Sequence, residues 1–220
     1  QQLGIFSSSE ITHDVIQLFI KKIPYYSYEI NLNESNFNQD ITPLPNYVLN
    51  LTESYESIAK RYSKNTIRNI LKTQKEGLSL RNDIKINDFI DFYNSVDRNF
   101  ISINSAILKK LLERAIEKKA ITLLAVNNKN NEIIAALCLF HTGNRLVYLL
   151  PISNDEGKKS SAMFMLVDYL IKSKAQSNLS LDFEGSLIEG IARFYKGFGA
   201  KNRPYFLVKR FRPTLLIGKI

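Results

Sequence analysis

Cysteine, histidine and tryptophan are nearly missing from this chain. Its 220 residues include one cysteine, Cys138, two histidines, His13 and His141, and no tryptophan. One thiol excludes an internal disulfide and a multi-cysteine zinc centre. Two histidines far apart in sequence argue against a His-rich metal site, and no metal is expected. Long apolar runs are also missing, since none approaches the roughly 18 residues of a membrane span. The first residues, Gln1, Gln2, Leu3 and Gly4, have no initiator methionine and do not resemble a signal peptide. Further chain upstream is therefore expected. With a lone thiol and no visible export signal, the expected compartment is the cytoplasm.

What is present suits a folded domain. Hydrophobic residues make up 45% and charged residues 23%, enough to bury a core without staples. The length allows one large domain or two small ones. The charge, +9 from 30 Lys+Arg against 21 Asp+Glu, is uneven. Residues 1–50 hold 2 basic and 5 acidic groups, residues 51–80 hold 6 and 3, and residues 177–220 hold 8 and 3. Such clustering favours an anionic partner (phosphate, nucleotide or nucleic acid) over general solubility. A merely basic soluble surface is the alternative.

Residues 9–22 read as a helix stopped by Pro24, 25–31 and 47–51 as strands, and the Asn/Pro-rich 31–46 as a loop. A long helix is expected over about 52–76, capped by Thr52 or Ser54 and ended by Gly77. It carries Lys60, Lys64, Arg68 and Lys72 in an i,i+4 row, with Arg61 and Lys75 nearby. From residue 78 the pattern is a strand (78–82), two amphipathic helices (86–99 and 103–118) and three strands (121–127, 132–141 and 145–150). Pro151 is expected to end regular pairing. A loop (154–161), a nearly all-apolar helix (160–174), a strand (179–185), a helix closed by glycine (187–199) and a last strand (205–211) complete the chain.

The resulting order, β-α-α-β-β-β-α-β-α-β, resembles the GNAT (N-acetyltransferase) superfamily. The run Ala192-Arg193-Phe194-Tyr195-Lys196-Gly197-Phe198-Gly199 is similar to that superfamily's A-x-x-(F/L)-Y-x-x-x-G-F box, slightly shortened. The segment Y-x-x-I-x-x-R-Y-S-K-N-T-I-R-N-I-x-K-x-x-K-E-G-L (55–78) resembles the part joining the two halves of bacterial Fem-type (FemAB-like) transferases. These are tandem GNAT-like proteins that move amino acids from aminoacyl-tRNA onto peptidoglycan precursors. The implied fold is α+β, a GNAT-like mixed sheet with helices on both faces, preceded by part of a second GNAT-like lobe. The implied domains are an incomplete N-terminal lobe with the connecting basic helix (1–77) and a C-terminal acyltransferase domain (78–220). The resemblance requires the strand starting near Leu179 to lie beside the strand ending near Leu150.

It also implies candidate sites. Gly157, Lys158, Lys159, Ser160 and Ser161 lie where that fold holds a donor's pyrophosphate. A helix N-terminus with a glycine, two lysines and two hydroxyls suits an anion, although the usual (Q/R)-x-x-G-x-(G/A) loop has a second glycine that is absent here. A solvated helix cap is the alternative. Asp182 and Glu184 flank Phe183, so both carboxylates point to one side of a covered strand. Glu184, at the strand's C-terminal end, is a candidate general base. A structural ion pair, for example with Arg193 or Arg203, is the alternative for both. Tyr195 matches the position of the superfamily's general acid, or else packs between helix and sheet. Arg61, Lys64 and Arg68 are candidate contacts to a phosphate-bearing substrate, as are Lys201, Arg203, Lys209, Arg210 and Arg212. His141 and Cys138 read as structural.

The expected activity is transfer of an acyl or aminoacyl group from a thioester or aminoacyl ester to an amine. The donor would be acyl-CoA or aminoacyl-tRNA, with no permanently bound cofactor. CoA-dependent N-acetylation of a small amine and a catalytically silent module binding a nucleotide-linked or polyanionic partner are the alternatives.

Overall fold

The computed structural model describes residues 3–36, 41–96, 103–185 and 187–211. Along the chain come α1 (His13–Lys22), β1 (Tyr28–Leu32), β2 (Thr42–Leu44) and β3 (Tyr47–Asn50). Next are α2 (Tyr55–Ala59), α3 (Lys64–Lys75), β4 (Ser79–Arg81), α4 (Ile86–Ser95) and α5 (Ser105–Glu117). Three long strands follow, β5 (Ile121–Asn127), β6 (Ile133–Thr142) and β7 (Arg145–Ser153). The chain closes with α6 (Asp155–Lys159), α7 (Ala162–Lys174), β8 (Ser180–Asp182), α8 (Glu189–Gly197), β9 (Lys201–Asn202) and β10 (Tyr205–Arg210).

The residues fall into two compact units: 1–46, 185–187 and 202–220 in one, 47–184 and 188–201 in the other. A cut at residue 77 falls inside the larger unit. The smaller unit has a three-stranded sheet in the order β1-β10-β2 with antiparallel pairing. Pro43 stands on its edge strand β2, where a missing N–H is tolerated. Ile16, Leu32, Phe206 and Val208 form its core.

The larger sheet runs β4-β5-β6-β7-β8-β3-β9. Strands β4 to β7 pair antiparallel, β7 and β8 pair parallel, and β3 returns antiparallel to β8. The near-continuous apolar runs of β5 and β6 belong to strands covered on both faces. Leu124, Val126, Leu137 and Leu139 face Leu166, Val167 and Leu170 of α7. Leu123, Ala125, Ala136 and Cys138 face Phe89, Ile90, Leu108 and Leu112 of α4 and α5. The expected fold class is thus present, a mixed sheet with helices on both faces, and the required β7–β8 adjacency holds.

Four points differ from the expectations or add to them. The single helix over 52–76 is two helices. Ser54 caps α2 and Ser63 caps α3, each accepting from the N–H three residues on. Between them Tyr62 is anchored by its hydroxyl to Asp168 Oδ1 (3.1 Å) and by its ring edge to Phe198 (5.3 Å). These tertiary contacts override local helix propensity. Second, the strand beside β8 is β3 from upstream, while the last strand, β10, pairs with β1 and β2; alternation identifies strands but not their partners. Third, β7 passes through Pro151, which registers with Leu137. Strand β8 accompanies β7 only as far as Val147, so from there β7 has an edge on which proline is tolerated. Fourth, the 154–161 loop contains the short helix α6. The expected end of the helix over 86–99 lies outside the described residues, and the helix expected over 103–118 runs from Ser105 to Glu117.

Candidate active site

The main-chain opening comes first. The parallel register of β7 and β8 covers only Arg145↔Ser180, Leu146↔Leu181 and Val147↔Asp182. Strand β7 then runs six residues further, paired only with β6. The register between β6 and β7 shifts as it crosses Cys138 and Leu139, whose partners are Leu150 and Tyr148. Leu149 is therefore the extra residue of a β-bulge, a device that bends a strand and strengthens its twist. Past Asp182 the chain keeps its bonds to β3, through Phe183, Glu184 and Tyr47, and among the described residues makes no further pairing with β7.

Glu184 sits where β8 leaves the sheet. Its φ is +58°, an uncommon conformation for a residue with a Cβ. Three bonds hold it there. The Glu184 N–H donates to Asp182 Oδ1 (2.8 Å), the Glu184 carbonyl accepts from Tyr47 N–H (3.3 Å), and Phe183 N–H donates to the Tyr47 carbonyl (2.9 Å). Burial pushes the Glu184 carboxyl above its ordinary value, and the Asp182 charge adds to this. Asp182 is itself buried, and its other oxygen takes Arg145 Nη1 at 2.7 Å. The ion pair considered for Asp182 is present, but its cation comes from β7; Arg193 pairs with Glu189 (2.6 Å). The two carboxylates have divided their roles: Asp182 is the ion-paired brace and Glu184 the group it positions.

Tyr195 projects from α8 into a cluster of rings. Phe183 stacks on it at 4.7 Å, Tyr148 meets it edge-on at 5.9 Å, and Tyr47 lies at 6.1 Å. Burial, then the Glu184 charge, pushes its phenol up to about 12. Tyr195 therefore stays protonated across the physiological range, with a proton available to donate. It packs between helix and sheet and also senses the carboxylate. Tyr47 and Tyr148 are members of this constellation that composition and spacing do not single out. Tyr47 was hidden because its strand joins the sheet from far upstream.

The 154–161 segment is more enclosed than its sequence suggests. Asn154 caps α6, its Oδ1 accepting from the buried Gly157 N–H at 2.8 Å. A Cβ at Gly157 would collide with the Ile134 carbonyl and come within 2.6 Å of Ser153 Oγ, so the glycine serves helix-on-strand packing. Gly157→Ala is expected to lower stability by about 1–3 kcal/mol as overpacking does, visible as a lower denaturant midpoint. Ser160 is buried, and its Oγ donates to the Gly157 carbonyl (3.4 Å). Ser161, at φ +63°, donates its Oγ to Asn69 Oδ1 (2.8 Å). Lys158 and Lys159 are exposed, Lys158 beside Asp155 (3.0 Å).

Of the helix cations, Arg61 pairs with Glu53 (2.7 Å) outside α3, while Lys64 and Arg68 lie on its exposed side. Lys60 precedes the α3 cap, so the expected row of four is a row of three. In the smaller unit Lys209 pairs with Glu29 (2.9 Å) across β10 and β1. Arg212 lies outside the described residues. His141 stands near the C-terminal end of β6, two residues past the register shift, its Nε2 2.9 Å from Thr122 Oγ1. Cys138 is buried, which raises its thiol to about 12. Among the described residues no cluster of His, Cys, Asp and Glu is placed to hold a metal, and no helix is long and apolar enough to cross a membrane.

No protein-family model matches the sequence, and no curated protein matches it. Solved structures do match. FemX superposes with a TM-score of 0.63 at 10% identity, over 88% of this chain and 74% of FemX. L-PGS from Bacillus licheniformis gives 0.57 at 10% identity, over 92% and 73%. A tandem GNAT protein from the clavulanic acid biosynthesis pathway gives 0.50 at 8% identity, over 90% and 68%. At such low identity the likeness concerns the backbone, and on that basis the chain has the GNAT/Fem-like fold.

Proposed function

We propose that this chain is a cytoplasmic acyl- or aminoacyl-transferase of the Fem-like kind, moving an acyl group from a thioester or aminoacyl ester to an amine. The observation carrying this reading is the end of β7–β8 pairing at Val147, with Glu184 held just past β8 and the Tyr195 phenol close enough to feel its charge. Residues upstream of 78 are read as the tail of a first GNAT-like lobe.

The amine nitrogen attacks the acyl carbon beside β7 beyond Val147, forming the C–N bond. Backbone N–H groups of β7 beyond Val147, where β8 no longer runs alongside, stabilise the oxyanion. The Glu184 carboxylate accepts the proton from the attacking amine. As the C–S or C–O bond breaks, the Tyr195 phenol gives its proton to the departing thiolate or alkoxide. Proton exchange through water restores both groups. Holding the reactants together supplies much of the acceleration.

For the donor, the internal bonds of Gly157, Ser160 and Ser161 favour an aminoacyl-tRNA ester over acyl-CoA. Lys158 and Lys159 remain as phosphate contacts, and Arg61, Lys64 and Arg68 as contacts to a phosphate-bearing substrate. The test is a comparison of aminoacyl-tRNA and acetyl-CoA as donors to added amines, with Tyr195→Phe as the variant. We expect turnover with the aminoacyl ester and an about 10²-fold or greater loss in Tyr195→Phe, within the general range of acid–base catalysis, with Tm preserved. Turnover with acetyl-CoA alone would support plain N-acetylation. Ligand binding without turnover, unchanged in Tyr195→Phe, would support a silent binding module.

A further inference from the structure

We propose that the outer face of α3 is a docking surface for an anionic lipid bilayer. This helix distributes its residues against the usual rule that the apolar stripe faces the core. The side toward α7 and α8 carries Thr66, Asn69, Ile70 and Thr73. Thr66 and Thr73 are buried. Thr66 Oγ1 lies 3.0 Å from Ser63 Oγ, Asn69 Oδ1 accepts from Ser161, and Thr73 Oγ1 donates to the Ile70 carbonyl at 2.7 Å. A Cβ at Gly197 of α8 would strike Thr66, so the small, polar inner face is what lets the two helices close together.

The aliphatic residues are left outside. Ile67 is 44% and Leu71 52% exposed, one turn apart on the same face. Together with Lys64, Arg68, Lys72 and Lys75 they line one shallow hollow along the helix. Residues 64–75 contain these four cations and no acid. Arg68 and Lys72 bond neutral oxygens, Asn65 Oδ1 and the Lys159 carbonyl, so neither bond cancels their charge.

Two exposed aliphatic side chains within a ring of cations match the interfacial region of a membrane. There, apolar groups enter the acyl boundary and lysine stems extend so that their heads reach lipid phosphates. A nucleic acid fits less well. Its phosphates would engage the cations but have no use for Ile67 and Leu71, and the outer face of α3 offers no aromatic ring for bases to stack on. The proposal gives the phosphate partner of Lys64 and Arg68 a definite carrier. It is independent of whether the chain transfers an acyl group, so vesicle binding and turnover fail separately.

The lack of tryptophan supplies the test. Leu71→Trp places the sole indole of the chain on this face. With phosphatidylcholine vesicles containing phosphatidylglycerol, the full chain is expected to co-sediment and the indole emission to shift to the blue. Both effects should weaken with salt and vanish on pure phosphatidylcholine. Ile67→Ser with Leu71→Ser keeps every charge and is expected to weaken vesicle binding about tenfold or more. Lys64→Gln with Arg68→Gln should do likewise, since each cation contributes about fivefold near such a surface. Circular dichroism and Tm should be unchanged in both variants. The proposal is overturned if phosphatidylglycerol vesicles do not bind, or if the double-serine variant binds as well as the parent. It is also overturned if a tRNA pool binds tightly while the indole of Leu71→Trp keeps its aqueous emission on vesicles.

Discussion

Arg145→Met is expected to lower the stability of the larger unit by about 3 kcal/mol, read from denaturant unfolding at neutral pH. Removing one partner of a buried pair strands the other charge, at a cost of roughly 3–5 kcal/mol. The lower end applies because the Arg145 side chain is 32% exposed, against 5% for Asp182. The loss should reach beyond packing, since the same carboxylate accepts the Glu184 N–H. A second substitution, Asp182→Asn, discriminates. It removes the stranded charge and keeps an oxygen to accept that N–H. The double variant should recover most of the stability lost in Arg145→Met. If the double variant is no more stable than the single one, the pair is not what braces this strand.

Glu184→Gln is expected to reduce kcat about 10²- to 10⁴-fold, the range for loss of a general base, on whichever donor supports turnover. Its pH dependence gives a second signature. Burial raises the Glu184 carboxyl, so the basic form appears only above the ordinary carboxylate range. Activity should rise with pH along a limb that lies higher than for an exposed glutamate, and this limb should vanish in Glu184→Gln. The matching alkaline limb is out of reach, since Tyr195 is held up at about 12. Stability runs the other way. A carboxyl whose folded pKa lies above its unfolded pKa binds protons more readily when folded, so stability falls as pH rises through that window. Above it the charged carboxylate is a net cost. Glu184→Gln removes that cost and should be at least as stable as the parent near neutral pH. A variant both inactive and markedly less stable would assign Glu184 to structure rather than to chemistry.

The sequence made the layers of the fold readable because both faces of the central strands are covered. Continuous apolar runs such as ITLLAVN and EIIAALCLFH then mark them without ambiguity, and α7 is recognisable by its nearly uniform apolar surface. Adjacency of β7 and β8 came from the resemblance, and the structure agrees. What escaped was tertiary in origin. The helix break at Ser63 depends on Tyr62 reaching Asp168, 106 residues away. The choice of β3 over β10 as the neighbour of β8 is a matter of partners. Glu184 and Tyr195 could be singled out as residues, yet their setting could not. The Asp182 brace ends on Arg145, and the ring under Tyr195 includes Tyr47, whose strand is remote in sequence. Gly157 shows the opposite limit: a glycine before a helix reads as a ligand cradle, although here the adjacent main chain of Ile134 already requires it.

The bulge at Leu149 inverts the phase of its strand. Before it, the even-numbered Leu146 and Tyr148 belong to the layer under α7 and α8. After it, the even-numbered Leu150 and Ile152 belong to the layer under α4 and α5. One inserted residue thus acts as a crossover switch, letting a single strand supply large side chains of the same parity to two different cores. Odd and even positions of β7 therefore have no fixed meaning, and the side on which a residue's substitution is felt depends on whether it stands upstream or downstream of residue 149.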